Sequence, residues 1–396
     1  MQMRPLFIPA LALLAGLAPA SVETQGRPVT STYVNTGDYE AVADWPKPLP
    51  DRTPGEHDGW TWGSGGGVYA EHPDRVWVIQ RGERPLPPGA KPWTIGSMVV
   101  PPRMDSGRDD YFDERGWERR WHHNVFALDR HGNAVVEWLH LDEFFSPPDT
   151  LARGPHKIRM SPYDPEKHVW IVDDDLHEVH KFSRDGKLVM TLGERGVPGR
   201  GPNNFNRPTD IAWLPDGSYF ISDGYAGTRV AKFDRHDKFV RDWGQVPADP
   251  SKPGPNEFWS VHSIGVSRDR RVFVADREHS RMQVFDENGK FLEMWPTGLR
   301  SAVYGHIVTE DDHVWVGDHT TSRIVKYDLN GRYIYDFGSP GGLPGQLNGP
   351  HALHVDQDRN LYVGEVWNGR VQKFRPKPNA DPAKIVAREV GGWPPR

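Results

Sequence analysis

WSVHSIGVSRDRRVFVADREHSRMQVF, residues Trp259–Phe285, predicts three consecutive strands. Ser260–Val266 alternates in polarity, Arg268–Arg271 is a polar hairpin, and Val272–Ala275 and Met282–Phe285 are short apolar runs. The same outline returns at Ile211–Phe233, His313–Tyr327 and Leu361–Phe374. His168–Phe182 is a looser copy, with Glu178 where the others carry Arg. Gly66–Gly82 holds the first half of a unit, and Asn124–Trp138 supplies the second half after an insertion at Glu83–Trp121.

Each unit opens with an alternating strand and continues through an apolar strand ending in an acidic residue. An Arg-led strand, an Asp/Asn-Gly type turn and a last strand follow. Six such units describe an all-β fold, a six-bladed β-propeller. One unit cannot bury both faces, whereas six in a ring cover one another and leave only short edges. The recurring ADxxxxRVxxF core resembles the NHL repeat. The repeated acids Asp223, Asp276, Asp318 and Glu365 and the repeated arginines Arg229, Arg281, Arg323 and Arg370 are therefore expected to be structural ion pairs.

Composition agrees with short strands and many turns. Of 396 residues, 41 are Gly and 37 Pro, while 16 Trp and 16 Phe still supply a core. The net charge of −6 is dispersed, with no basic run to follow a phosphate backbone, so nucleic acid is not an expected partner. Cysteine is absent, so packing, with any bound metal, must stabilise the fold.

Met1–Ala20 reads as a signal peptide: Arg4, an apolar run Leu6–Leu17, then Ala18-Pro19-Ala20 before Ser21. A secreted or periplasmic protein without a membrane span after cleavage is expected. Residues 21–64 read as an extended lead-in and residues 65–396 as the propeller. Either Thr32–Asp44 or Ala383–Val390 is expected to close blade six with a strand; together they would make a seventh blade.

Function is expected where a blade breaks the repeat. The first residue of each inner strand faces the ring axis, and at that register stand His156, Thr209, His262 and His351. His156, Thr209 and His262 are spaced 53 residues apart, and His351 lies two blades further on. The histidines thus fall on blades two, four and six, ~120° apart in a six-membered ring. Three imidazoles converging at one level form a three-coordinate site with an open fourth position, which suits catalytic Zn2+. Counting back from Asp318 puts Tyr304 in register on blade five and leaves His306 out. Tyr225 and Arg277 follow the repeated acids of blades three and four, and Arg81 ends the second strand of blade one. A phenol beside a metal suits a general base, and arginines suit a carboxylate. His122-His123 end the insertion, His177 and His180 read as surface residues, and Gly63–Gly67 reads as a turn.

At NRPTDIAWLPDGSYFISDGY, SVHSIGVSRDRRVFVADREHSR and the two GPH segments, the chain resembles the peptidyl-α-hydroxyglycine α-amidating lyase family. The resemblance covers roughly Gly65–Phe374. It implies zinc on His156, His262 and His351, a catalytic Tyr225, and active-site Arg81 and Arg277. It implies cleavage of a carbinolamide to an amide and glyoxylate, with zinc polarising the hydroxyl, Tyr225 taking its proton and the arginines holding the carboxylate. Three features depart from the family. Ala352 replaces the aspartate that binds Ca2+ with two backbone carbonyls, here those of Val68 and Ile158, so calcium is not expected there. Gly349 replaces a methionine, which should widen the pocket. The disulfides and the copper hydroxylase partner are absent from this sequence.

The expected activity is thus a zinc lyase acting on a small-molecule or peptide substrate with a carboxylate, as a monomer. Two alternatives use the same residues: a zinc hydrolase of another amide or ester, and a non-catalytic propeller whose metal is structural.

Overall fold

The computed structural model describes residues 33–63, 65–85, 120–145 and 154–391, all within the compact unit Tyr33–Arg396. The expected signal segment Met1–Ala20 and most of the insertion lie outside the described residues. Among the described residues there are six four-stranded antiparallel sheets. Their first strands are Gly65–His72, Lys157–Met160, Pro208–Trp213, Val261–Val266, Val303–Thr309 and Pro350–Val355. Each contacts the next, and the sixth contacts the first, so the sheets are blades of a closed ring. Blade one joins Gly65–His72 and Arg75–Gln80 to Val125–Leu128 and Ala134–Glu137 across the insertion, as expected.

Both faces of each blade are buried, and the apolar residues sort by strand period. In blade four, Val272 and Val274 pack with blade three, while Phe273 and Ala275 pack with blade five. Six apolar clusters result, one between each pair of neighbours. Each large side chain so buried contributes ~1.5–3 kcal/mol relative to exposure, and a blade alone would lose the burial on both of its faces. The outer hairpins use one device repeatedly. Asp129, Asp234, Asp286 and Asp328 accept hydrogen bonds from backbone N–H groups two and four residues on. Gly132, Gly289 and Gly331 sit at positive φ in three of these turns, where a side chain would be strained.

The repeated ion pairs form in three blades. Arg229 meets Asp223 at 2.8 Å, Arg281 meets Asp276 at 2.8 Å and Arg370 meets Glu365 at 2.7 Å. Each guanidinium also donates to carbonyls of the connection entering its blade, for example Arg281 to Pro253 and Glu257. Blade five departs from this. Arg323 turns outward to Asp336 at 2.7 Å, and Asp318 accepts backbone N–H groups of Ala302 and Thr320 instead.

The lead-in closes the ring. Tyr39–Ala41 pairs with Arg370–Pro376 as the fourth strand of blade six, with Tyr39 wholly buried. Residues 385–391 form no blade. Ile385 and Val386 join the cluster between blades five and six, and Val390 donates its N–H to Val308 at the inner strand of blade five. Among the described residues, no helix is long and apolar enough to cross a membrane.

Candidate metal centre and active site

The inner strands share an irregularity that aims side chains into the channel. In blades one, three, four, five and six, pairing with the second strand skips one residue: Gly66, Thr209, His262, Tyr304 and His351. A bulge frees the skipped residue from the ladder and redirects its side chain. In blade two the equivalent residue, His156, immediately precedes the paired strand.

These bulges build the histidine site twice over. They present the imidazoles of blades four and six, beside His156 at the start of blade two, and on the blade that follows each histidine a bulge leaves a carbonyl free of the ladder. His156 Nδ1 donates to Thr209 O at 2.7 Å, His262 Nδ1 to Tyr304 O at 2.8 Å, and His351 Nδ1 to Gly66 O at 2.6 Å. With every Nδ1 protonated, every Nε2 carries its lone pair inward. The rings stand nearly perpendicular to one another, at 81°, 86° and 89°, with centroids 4.8–5.3 Å apart. His351 Nε2 lies 3.2 Å from His156 Nε2.

Protonation does not resolve these facing lone pairs. All three histidines are buried and held well below the ordinary imidazole range, first by burial. Arg81 adds to this at His156, Arg277 at His262 and Lys157 at His351. Three neutral Nε2 donors converging in an enclosed site fit a divalent cation that accepts imidazole nitrogen.

Tyr225 stands over the triad. Its hydroxyl is 3.1 Å from His156 Nε2 and 2.9 Å from His262 Nε2. Two guanidinium groups flank its ring, Arg207 at 4.7 Å and Arg277 at 5.0 Å from the centroid. Arg277 donates to Glu278 through Nε at 2.7 Å, and its buried Nη1 has no hydrogen-bond partner among the described residues. Arg81 donates to Asp174 Oδ1 at 2.5 Å and Arg207 to Asp174 Oδ2 at 2.6 Å. The wholly buried Asp174 thus ties the two cations together. Arg207 also accepts the backbone N–H groups of Gly224 and Tyr225 at its carbonyl, which fixes the turn that carries Tyr225.

The structure therefore brings His156, His262, His351, Tyr225, Arg81 and Arg277 to one end of the channel. Asp174, Arg207 and His319, which stacks on Tyr304 at 4.0 Å, also belong to this end of the channel and were not singled out as site residues in the sequence. A signal was present for two of them: Asp174 and His319 directly follow the repeated acids Asp173 and Asp318, the position that drew attention to Arg277. His177 is not a bystander, because its Nδ1 accepts the N–H of Arg207 at 3.1 Å, and His180 is buried against Thr191. His122 and His123 join a charged network with Glu56 and Glu137 on blade one, apart from the triad.

Two family departures have structural answers. Ala352 is buried between blades six and one beside Val68. Below the triad the channel holds a resident cation, Lys157, whose Nζ lies 3.4 Å from His351 O and 4.0 Å from Asp210. Burial pushes Lys157 down to about 8 against the pull of Asp210, which is itself engaged by Arg159 through both oxygens. Gly349 does not widen the pocket. A Cβ there would stand 2.2 Å from Trp367 Cδ1 and 3.0 Å from His319 Cδ2, so Trp367 lies flush on the glycine backbone.

No family model matches the chain. Peptidyl-alpha-hydroxyglycine alpha-amidating lyase 1 of Drosophila melanogaster is 30% identical over 258 residues, 59% of this chain and 46% of that protein. The probable peptidyl-alpha-hydroxyglycine alpha-amidating lyase pgal-1 of Caenorhabditis elegans is 36% identical over 133 residues, 33% of this chain and 36% of that protein. NHL repeat-containing protein 3 of Mus musculus is 28% identical over 245 residues, 58% of this chain and 69% of that protein. The match spans less than half the length of either lyase. The chain thus combines a six-bladed propeller of NHL-type repeats with partial similarity to the peptidyl-alpha-hydroxyglycine alpha-amidating lyases.

Proposed function

We propose that this protein is an exported zinc-dependent lyase that cleaves α-hydroxyglycine-type amides, R–CO–NH–CH(OH)–COO⁻, to R–CO–NH2 and glyoxylate. The observation that carries the reading is the Tyr225 hydroxyl within 3.1 Å of two inward-facing Nε2 atoms, beneath guanidinium groups suited to a carboxylate. The names of the relatives support the reaction type. Export rests on the Met1–Ala20 pattern.

His156, His262 and His351 would hold the zinc, which when bound supplies a Lewis acid for the substrate hydroxyl. The chain's own groups do the rest. Arg277, with a buried donor uncommitted among the described residues, and Arg81 hold the carboxylate, and the fixed fork of a guanidinium suits that group. Tyr225 as the phenolate takes the hydroxyl proton. The C=O bond of glyoxylate forms as the C–N bond breaks, and Tyr225 returns the proton to the amide nitrogen. The adjacent guanidinium groups favour negative charge at the phenol oxygen during this exchange.

The test is N-benzoyl-α-hydroxyglycine with protein of measured metal content. The proposal expects benzamide and glyoxylate in equal amounts with about one zinc per chain. Benzoate in place of benzamide marks a hydrolase, and no turnover with the site filled marks a non-catalytic propeller.

A further inference from the structure

Around the mouth of the channel, blades one to four contribute charged or hydrogen-bonding groups: Arg81, Asp174, Arg207, Tyr225 and Arg277. Blades five and six present aromatic rings instead. There Tyr304, at the level of the triad, stacks on His319 at 4.0 Å and 19°. His319 then meets Trp367 at 5.3 Å and accepts its indole N–H. The stack starts 4.9 Å from the His262 ring and leads outward, from buried Tyr304 to partly exposed His319 and Trp367. It is held rigidly. Trp367 rests on the bare backbone of Gly349, and Arg277 lies 4.7 Å over the Tyr304 ring.

Resting on the lyase reading, we infer that Tyr304, His319 and Trp367 form an acyl subsite that selects substrates with a planar, aromatic group on the amide side. A carboxylate anchored at the arginines directs the opposite end of the substrate away from blades one to four. The remaining sector is lined by the rings of Tyr304, His319 and Trp367, with the Arg277 guanidinium at its inner end. A flat apolar group gains stacking there that a small acyl group cannot make. Because the wall is pinned before binding, ordering it costs little.

The experiment is calorimetric titration of the full chain, with its metal, by N-benzoylglycine and by N-acetylglycine. Neither carries the hydroxyl needed for cleavage, so binding is read without turnover. Wild type is expected to bind N-benzoylglycine about tenfold tighter. Trp367→Ala should lose most of that advantage and keep N-acetylglycine affinity within about twofold, while Trp367→Phe should retain it. Equal affinities in wild type, no binding of either compound, or an advantage that survives Trp367→Ala overturns the subsite. Should Trp367→Ala fail to fold, wild type and Trp367→Phe still decide, since unequal ligands in wild type are required. Glyoxylate release is scored separately: its absence with the benzoyl preference intact sinks the lyase reading alone.

Discussion

His262 Nδ1 donates to the carbonyl of Tyr304, 2.8 Å away on the neighbouring blade, and both residues are skipped by their own ladders. The same pairing joins blade two to three and blade six to one. The ligand geometry is thereby a property of the ring and not of any single blade. His262 and His351 are aimed by their own bulges, His156 stands just before its strand, and each imidazole is locked by the bulge of the next blade.

This predicts metal binding that depends on all three blades. Removing zinc with a chelator should abolish glyoxylate release and lower Tm, because the facing Nε2 lone pairs lose the cation that holds them together. His262→Ala should reduce zinc affinity at least ~100-fold. Elemental analysis after dialysis, paired with thermal unfolding, checks both. Full zinc occupancy in His262→Ala would show that the triad is not the site.

Tyr225→Phe separates the phenol from its ring. The ring contacts with Arg207 and Arg277 persist, and only the oxygen near His156 and His262 is lost. Turnover should fall by ~10²–10⁴, the usual worth of a positioned acid–base group, with zinc content and Tm unchanged. A variant retaining more than about a tenth of wild-type kcat would remove Tyr225 from proton transfer.

Asp174→Asn tests the tie between Arg81 and Arg207. The buried carboxylate bridges both cations, each at 2.5–2.6 Å. An amide offers one acceptor and no charge, leaving the guanidinium groups under-partnered. Stability should drop by ~3 kcal/mol. KM for a carboxylate substrate should change about tenfold, because Arg81 is no longer fixed. Denaturant unfolding and steady-state kinetics give the two quantities; unchanged values in both would assign Asp174 to neither fold nor site.

The blade count and the triad were legible because both rest on repetition. Alternating residues buried on two faces recur six times, and His156, His262 and His351 occupy one register within them. The closing strand was legible only as one of two options, since Tyr39–Ala41 is three residues long and carries no period. Asp174 and Arg207 were missed because their meaning lies across the channel, in a shared contact with Arg81 that no single unit contains. Gly349 misled for a related reason. The loss of a side chain opens space only if no neighbour fills it, and Trp367, 18 residues on, does.

Asp173 shows what a broken repeat does to stability. It is the acid of blade two, but Glu178 stands where blades three, four and six supply the pairing Arg. Its Oδ1 accepts the N–H groups of Asp175 and Leu176, and its buried Oδ2 has no partner among the described residues. Burial, helped by Asp174 and Asp175 and opposed by the Leu176 N–H, pushes the carboxyl up from 3.8 to about 8. The folded chain therefore keeps a proton that the unfolded chain releases. That contribution is complete below pH ~4 and is lost as the pH rises through ~8. Asp173→Asn keeps the acceptor without the charge. It should match wild type at pH ~4 and exceed it by up to ~6 kcal/mol at pH ~9, flattening the slope between. Urea unfolding at a series of pH values reads this directly. Parallel stability curves for the two proteins would mean that Asp173 is already charged and compensated in the folded state.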